Sequence, residues 1–193
     1  MFRSLALAAA AAAVVTAAGP ASAYEIDILT RRPFVVSPAD ATRAQVNAIP
    51  REEVEFFGRY APGTIIVNTE ERRLYYVLPG GRAIRYGIGV GRPGFTWAGV
   101  KSVTRKAEWP DWTPPAQMLK RRPDLPRFME GGEDNPLGAR ALYLSGSLFR
   151  IHGSNEPETI GQAVSSGCIR MTNEDVIDLY DRVKIGTRVV VLR

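Results

Sequence analysis

The chain has 193 residues, a net charge of +5, one cysteine and one histidine. A single cysteine excludes an internal disulfide framework, and one histidine beside it leaves too few ligands for a zinc hydrolase. The length suits one domain, and the basic balance fits solubility or attraction to an anionic envelope polymer. It does not point to nucleic acid, because the Lys120-Arg121-Arg122 run is interrupted by prolines and has no aromatic face.

The N-terminus reads as an export signal. Arg3 supplies the positive charge, residues 5–18 are small and apolar, and Ala21-Ser22-Ala23 has the small-x-small form of a signal-peptidase site. The apolar run is too short for a convincing membrane span, and no cysteine precedes the cleavage site to carry a lipid anchor. The expectation is a signal peptide at 1–23 and an exported chain, periplasmic or in the cell envelope, from Tyr24. Residues 24–61 read as a proline-containing N-terminal extension with at most a short helix at 39–48.

From residue 62 the texture becomes that of a β-protein. Strands are expected at 64–67, 73–78, 83–88, 101–107, 141–144, 148–152 and 187–192, with Pro79-Gly80-Gly81 turning the second into the third. One helix is clear: Thr172 followed by Asp175 gives a capping signal. Val176, Ile177, Leu179, Tyr180 and Val183 form its apolar face, and Gly186 stops it. Gly89-x-Gly91-x-x-Gly94 matches a dinucleotide-binding fingerprint, but Pro93, Gly94 and Gly99 leave no room for the helix that fingerprint needs. It reads as a strand end and a tight loop.

The reactive residues are His152, in Ile151-His152-Gly153-Ser154-Asn155, and Cys168, in Ser165-Ser166-Gly167-Cys168-Ile169-Arg170-Met171. A thiol is a useful nucleophile only as thiolate, and a neutral imidazole is the usual acceptor of its proton. If Cys168 is catalytic, His152 is the only imidazole in the chain. The alternative is a small buried cysteine beside a satisfied structural histidine. Export weakens that alternative, since a free thiol outside the cytoplasm is worth keeping only if it acts or is well buried.

These two stretches, with Glu156-Pro157, Ile160-Gly161 and Asp175, closely resemble the signature of the L,D-transpeptidases of the YkuD (ErfK/YbiS/YcfS/YnhG) family. Pro62-Gly63-Thr64, Gly91-Arg92-x-Gly94-x-x-Trp97, Trp109-Pro110-x-Trp112 and Asn135-Pro136-Leu137-Gly138 support it upstream. The resemblance covers about 62–192 and implies a mostly β catalytic domain, a β-sandwich or open barrel with a short helical element, over 62–193. It implies an enzyme that remodels peptidoglycan without a cofactor or metal. Cys168 is then the nucleophile that forms a thioester with a tetrapeptide stem, releasing D-alanine. His152 is the proton acceptor and donor, oriented by the Gly153 carbonyl. An amine of a second stem or of an envelope protein is the acceptor, and carbapenems are covalent inhibitors. Many members carry His or Lys where Ser166 stands, which is compatible with a base at His152.

The remaining site residues keep two readings each. N–H groups near Gly167 and Cys168 are placed to face the oxyanion. On an extended segment Arg170 points to the side of the thiol, where it would bind a stem carboxylate or pair with Asp175 or Asp178. Ser154 and Ser165 contact substrate or fix their loops, and Trp97, Trp109 and Trp112 pack or offer a sugar platform. Two other functions stay open: a carboxypeptidase or endopeptidase using the same Cys/His site, and a noncatalytic wall-binding module.

Overall fold

The structure, a computed structural model, describes residues 24–26, 33–35 and 49–193. The expected signal segment and the helix at 39–48 lie outside the described residues. The chain separates into units at 1–43 and 44–193. In the first, β1 (Tyr24–Ile26) and β2 (Pro33–Val35) pair antiparallel.

The second unit is built on a curled, nine-stranded sheet that forms an open half-barrel. Next to its central strand lies β4 (Ile65–Asn68), whose Ile65, Ile66 and Val67 are all buried because both faces of the sheet are covered there. β4 runs parallel to β13 (Arg188–Leu192) on one side and antiparallel to β5 (Arg73–Leu78) on the other. The expected turn then leads into β6 (Arg82–Gly87), with Gly80 and Gly81 at φ of 73° and 71°, values that favour glycine. The sheet edge beyond β6 is β3 (Glu52–Glu55). This strand comes from the stretch that reads as an extension in sequence. Its three glutamates suit an exposed edge, and Arg82 and Arg85 on β6 pair with Glu53 and Glu52.

On the far side, β8 (Gly99–Glu108) pairs with β13 through its first half and with β9 (Arg140–Leu144) through its second. The register shifts between Val103 and Arg105, and such an irregularity bends a strand and curls its sheet. β10 (Arg150–His152) follows β9 antiparallel, and β12 (Ile169–Arg170) closes the sheet parallel to β10. β7 (Val90–Gly91) and β11 (Ala163–Ser165) form a separate parallel pair.

The clear helix is α2 (Asn173–Arg182), and it follows the short α1 (Ala116–Arg121), none of whose residues is buried. Thr172 caps α2 by accepting a hydrogen bond from the Asp175 N–H at 3.2 Å. The helix ends at Arg182, slightly before the expected stop, and Gly186 instead turns the chain toward β8 with φ of 91°. Val176, Leu179 and Val183 seat it in the core beside Tyr86, Leu142, Ile151, Ile169 and Met171. Burying each of these aliphatic side chains contributes roughly 2 kcal/mol. That core is the floor under β10 and β12.

Candidate active site

β10 and β12 set the site by their register. Ile151 lies opposite Ile169, and His152 opposite Arg170. Ile151 and Ile169 are 0% and 1% exposed and face the core. Side chains alternate along a strand, so His152 and Arg170 share the opposite face, together with Arg150 and Cys168 one residue before the two isoleucines. The predicted base thus lies on β10, and the predicted nucleophile immediately precedes the adjacent β12, although sixteen positions separate them in the chain.

His152 is buried, and its Nδ1 lies 2.6 Å from the carbonyl oxygen of Gly153. A carbonyl can only accept, so Nδ1 carries the proton and Nε2 is left as the acceptor a general base needs. Burial, with lesser contributions from Arg170 and Arg150, lowers the histidine to about 3, against a smaller opposite effect from the Gly153 hydrogen bond. The imidazole is neutral throughout the physiological range. Gly153 cannot be larger, because a Cβ there would collide with Asn173 Oδ1. That amide oxygen accepts from Ala139 N–H at 2.9 Å and Ser154 N–H at 3.3 Å, which ties the loop after His152 to the start of α2 and the approach to β9. Asn173 is a supporting residue the sequence reading missed, and it carries no local signal beyond its place after the helix cap.

Cys168 is half-buried, and burial pushes its thiol up, partly offset by Arg150 and Arg170. The loop before it is fixed from several directions. Gly167 has φ of 109°, and a Cβ there would come within 2.5 Å of the Phe149 ring. Phe149 stacks on Trp97 at a centroid distance of 4.7 Å, and Trp97 Nε1 donates to the Gly167 carbonyl at 2.7 Å. Ser165 Oγ donates to the Cys168 carbonyl at 2.6 Å and accepts from the Gly167 N–H at 3.1 Å. The Gly167 N–H is therefore engaged within the loop, by the Ser165 hydroxyl. Ser166 receives a hydrogen bond from Arg92 at 3.2 Å.

Ser165 and Ser154 are both buried, and each commits its hydroxyl to its own loop, Ser154 Oγ accepting from Glu156 N–H at 2.9 Å. In these contacts both side chains fix their own loops, and Ser154 also lines the cleft beside Trp109. Arg170 does share the thiol's face, but its acidic partner is Glu156 at 2.6 Å, not Asp175 or Asp178. Those two acids belong to another network, in which Arg51 approaches both at 3.6 Å and Arg182 grips Asp178. Among the tryptophans, Trp97 is packing for the cysteine loop. Trp112 pairs through its backbone with Met129, and Trp109 lines an open cleft of about 300 Å³ beside Ser154, Asn155 and Asn173.

A family profile for the L,D-transpeptidase catalytic domain, YkuD, matches residues 62–191. The chain belongs to that family, whose members are acyltransferases. It is 42% identical over 137 residues to the Probable L,D-transpeptidase ErfK/SrfK of Escherichia coli strain K12, covering 66% of this chain and 43% of that protein. The chain thus spans less than half the length of that curated relative. A crystal structure from Brucella melitensis, described as a probable carnitine operon oxidoreductase, is 44% identical, with a TM-score of 0.50 over 79% of this chain and 99% of that one. In this chain the glycine-rich segment forms β7 and then a loop to β8, with no helix to receive a dinucleotide. L,D-transpeptidase 3 from Mycobacterium tuberculosis, in complex with a faropenem-derived adduct, shares the fold at a TM-score of 0.56 and 17% identity, over 67% of this chain and 60% of that one.

Proposed function

We propose that the protein is a peptidoglycan L,D-transpeptidase of the cell envelope, with Cys168 as nucleophile and His152 as the proton carrier. The observation that supports this most directly is a neutral imidazole, Nδ1 fixed on the Gly153 carbonyl, on the same face of adjacent strands as the only thiol. Nε2 takes the thiol proton as Sγ attacks the carbonyl of the L,D peptide bond before the terminal D-alanine of a tetrapeptide stem. The tetrahedral adduct collapses, and the departing D-alanine nitrogen takes the proton from His152. An amine then attacks the thioester, giving its proton back through His152 to the leaving sulfur. With the Gly167 N–H engaged, the Cys168 N–H is the backbone donor for the oxyanion, and one such donor is worth ~3 kcal/mol.

The test is to incubate the protein with purified diaminopimelate-containing tetrapeptide stems and weigh the products. A cross-linked dimer lacking one D-alanine supports transpeptidation, while tripeptide alone identifies a carboxypeptidase working through the same thioester. Absence of D-alanine release in both forms refutes the reading. The same thiol should open a strained β-lactam, so intact-protein mass should rise by one carbapenem on the peptide that contains Cys168. Arg170→Ala should slow that acylation if Arg170 holds the ligand carboxylate and leave it unchanged if the Glu156 pair is its whole role.

A further inference from the structure

Arg150 occupies the fourth corner of the catalytic face, and the reaction above does not use it. It stands one residue before Ile151, as Cys168 stands one residue before Ile169, so the parallel register sets the two side by side. Its guanidinium and its backbone N–H both act on the thiol in the direction that favours thiolate. Across the other ladder it pairs with Tyr143, whose ring centroid lies 5.1 Å from the Arg150 guanidinium and 3.6 Å from that of Arg105. Its Nε is buried and has no hydrogen-bond partner among the described residues.

The charges around the thiol single this residue out. His152 is neutral, Arg170 is neutralised by Glu156, Arg92 is directed at Ser166, and Arg105 lies over the Tyr143 ring. Among the described residues, Arg150 makes no ion pair with any carboxylate. A half-buried cation with an unpartnered donor is unfavourable unless an anion completes it, and the group it touches becomes an anion during catalysis.

We propose that Arg150 is a catalytic residue, the counter-ion of the Cys168 thiolate. It holds the sulfur's negative charge after His152 has removed the proton, and again when the thioester breaks. This rests on Cys168 being the nucleophile but not on the identity of the stem peptide. An opposite charge within hydrogen-bonding reach moves a thiol by one to three pH units, and each unit is a tenfold change in thiolate.

The experiment is the pH profile of Cys168 alkylation by iodoacetamide in the full chain, without substrate. Arg150→Gln and Arg150→Met, the second keeping an apolar stem on Tyr143, should move the midpoint up by at least one unit and slow alkylation at pH 7 about tenfold. Arg150→Lys should restore most of the rate, and Tyr143→Leu should leave the midpoint in place. Neutral variants that melt like the wild type and give its profile overturn the proposal. A lysine variant as slow as the glutamine one also overturns it, since packing and not charge would then be the cause. Shifted midpoints in a protein inactive on stems would sink the proposed substrate and leave Arg150 standing.

Discussion

Acidification from neutral pH should first destabilise this protein through His152. The free imidazole titrates near 6.5, whereas burial beside Arg170 and Arg150 lowers His152 to about 3. Between those values the unfolded chain binds a proton that the folded chain refuses, so stability falls as pH drops below 6.5 and levels off near 3. The limiting slope for one such group is about 1.4 kcal/mol per pH unit, reached once the pH is well below 6.5, which gives roughly 2 kcal/mol lost between pH 6.5 and 4.5. His152→Gln removes the titration and also disturbs the contact with Gly153, a penalty independent of pH. Burial raises Asp175, while its hydrogen bond from Arg182 lowers Asp178; both shifts act in wild type and variant alike and cancel in the difference. Urea unfolding at pH 7.5, 6.5, 5.5 and 4.5 should show the wild type losing its advantage over His152→Gln as the solution is acidified. Parallel stability curves would mean that His152 accepts a proton in the folded protein near its ordinary value, and the neutral-base argument would fail.

Cys168→Ala should abolish turnover and β-lactam labelling while moving the melting temperature by no more than a few degrees, because a half-buried sulfur is all that is removed; residual wild-type activity would refute the thioester route. Gly167→Ala requires a methyl group where Phe149 stands and a φ of 109° that alanine resists, so it should lose about 1–3 kcal/mol in chemical denaturation and most of its alkylation rate. Trp97→Phe keeps a ring on Phe149 but deletes the donor to the Gly167 carbonyl. Stability should fall by about 1 kcal/mol while kcat falls more than tenfold, and an unchanged kcat would show that the cysteine loop holds itself.

The parts of this fold that were legible in sequence are those written locally. Thr172 and Asp175 announce α2 because a cap and its acceptor lie within one turn, and Pro79-Gly80-Gly81 announces the β5–β6 turn because the backbone there needs positive φ. The strands that went unread are short and exist only through distant partners. Val90–Gly91 is extended because residues 163–165 lie beside it, and no two-residue window reveals that. Glu52–Glu55 looks like an exposed loop because its charges are those of a sheet edge. His152 and Cys168 stand out in the sequence because each is unique in the chain and carries a motif. Arg150 and Asn173 do not, because their roles come from the β10–β12 register and from the packing of α2 against the His152 loop. The Glu156 partner of Arg170 was missed for a related reason: it requires the loop at 154–161 to fold back over β12.

A neutral resting pair has a consequence for when the sulfur becomes reactive. Burial disfavours the charged form of both Cys168 and His152, so the empty site holds a thiol beside an imidazole and not a preformed thiolate-imidazolium pair. Oxidants and alkylating agents attack the thiolate, so a protonated sulfur reacts with them slowly. For a chain with one cysteine, and so no internal disulfide partner, that protects the proposed nucleophile between turnovers. Attack on a carbonyl relieves the constraint, because the negative charge passes through sulfur to an oxyanion held by a backbone N–H while Arg150 and Arg170 stand nearby. On the proposed mechanism Arg150 therefore serves a charge that exists only during the reaction, which is the condition under which it accelerates the reaction instead of only tightening binding.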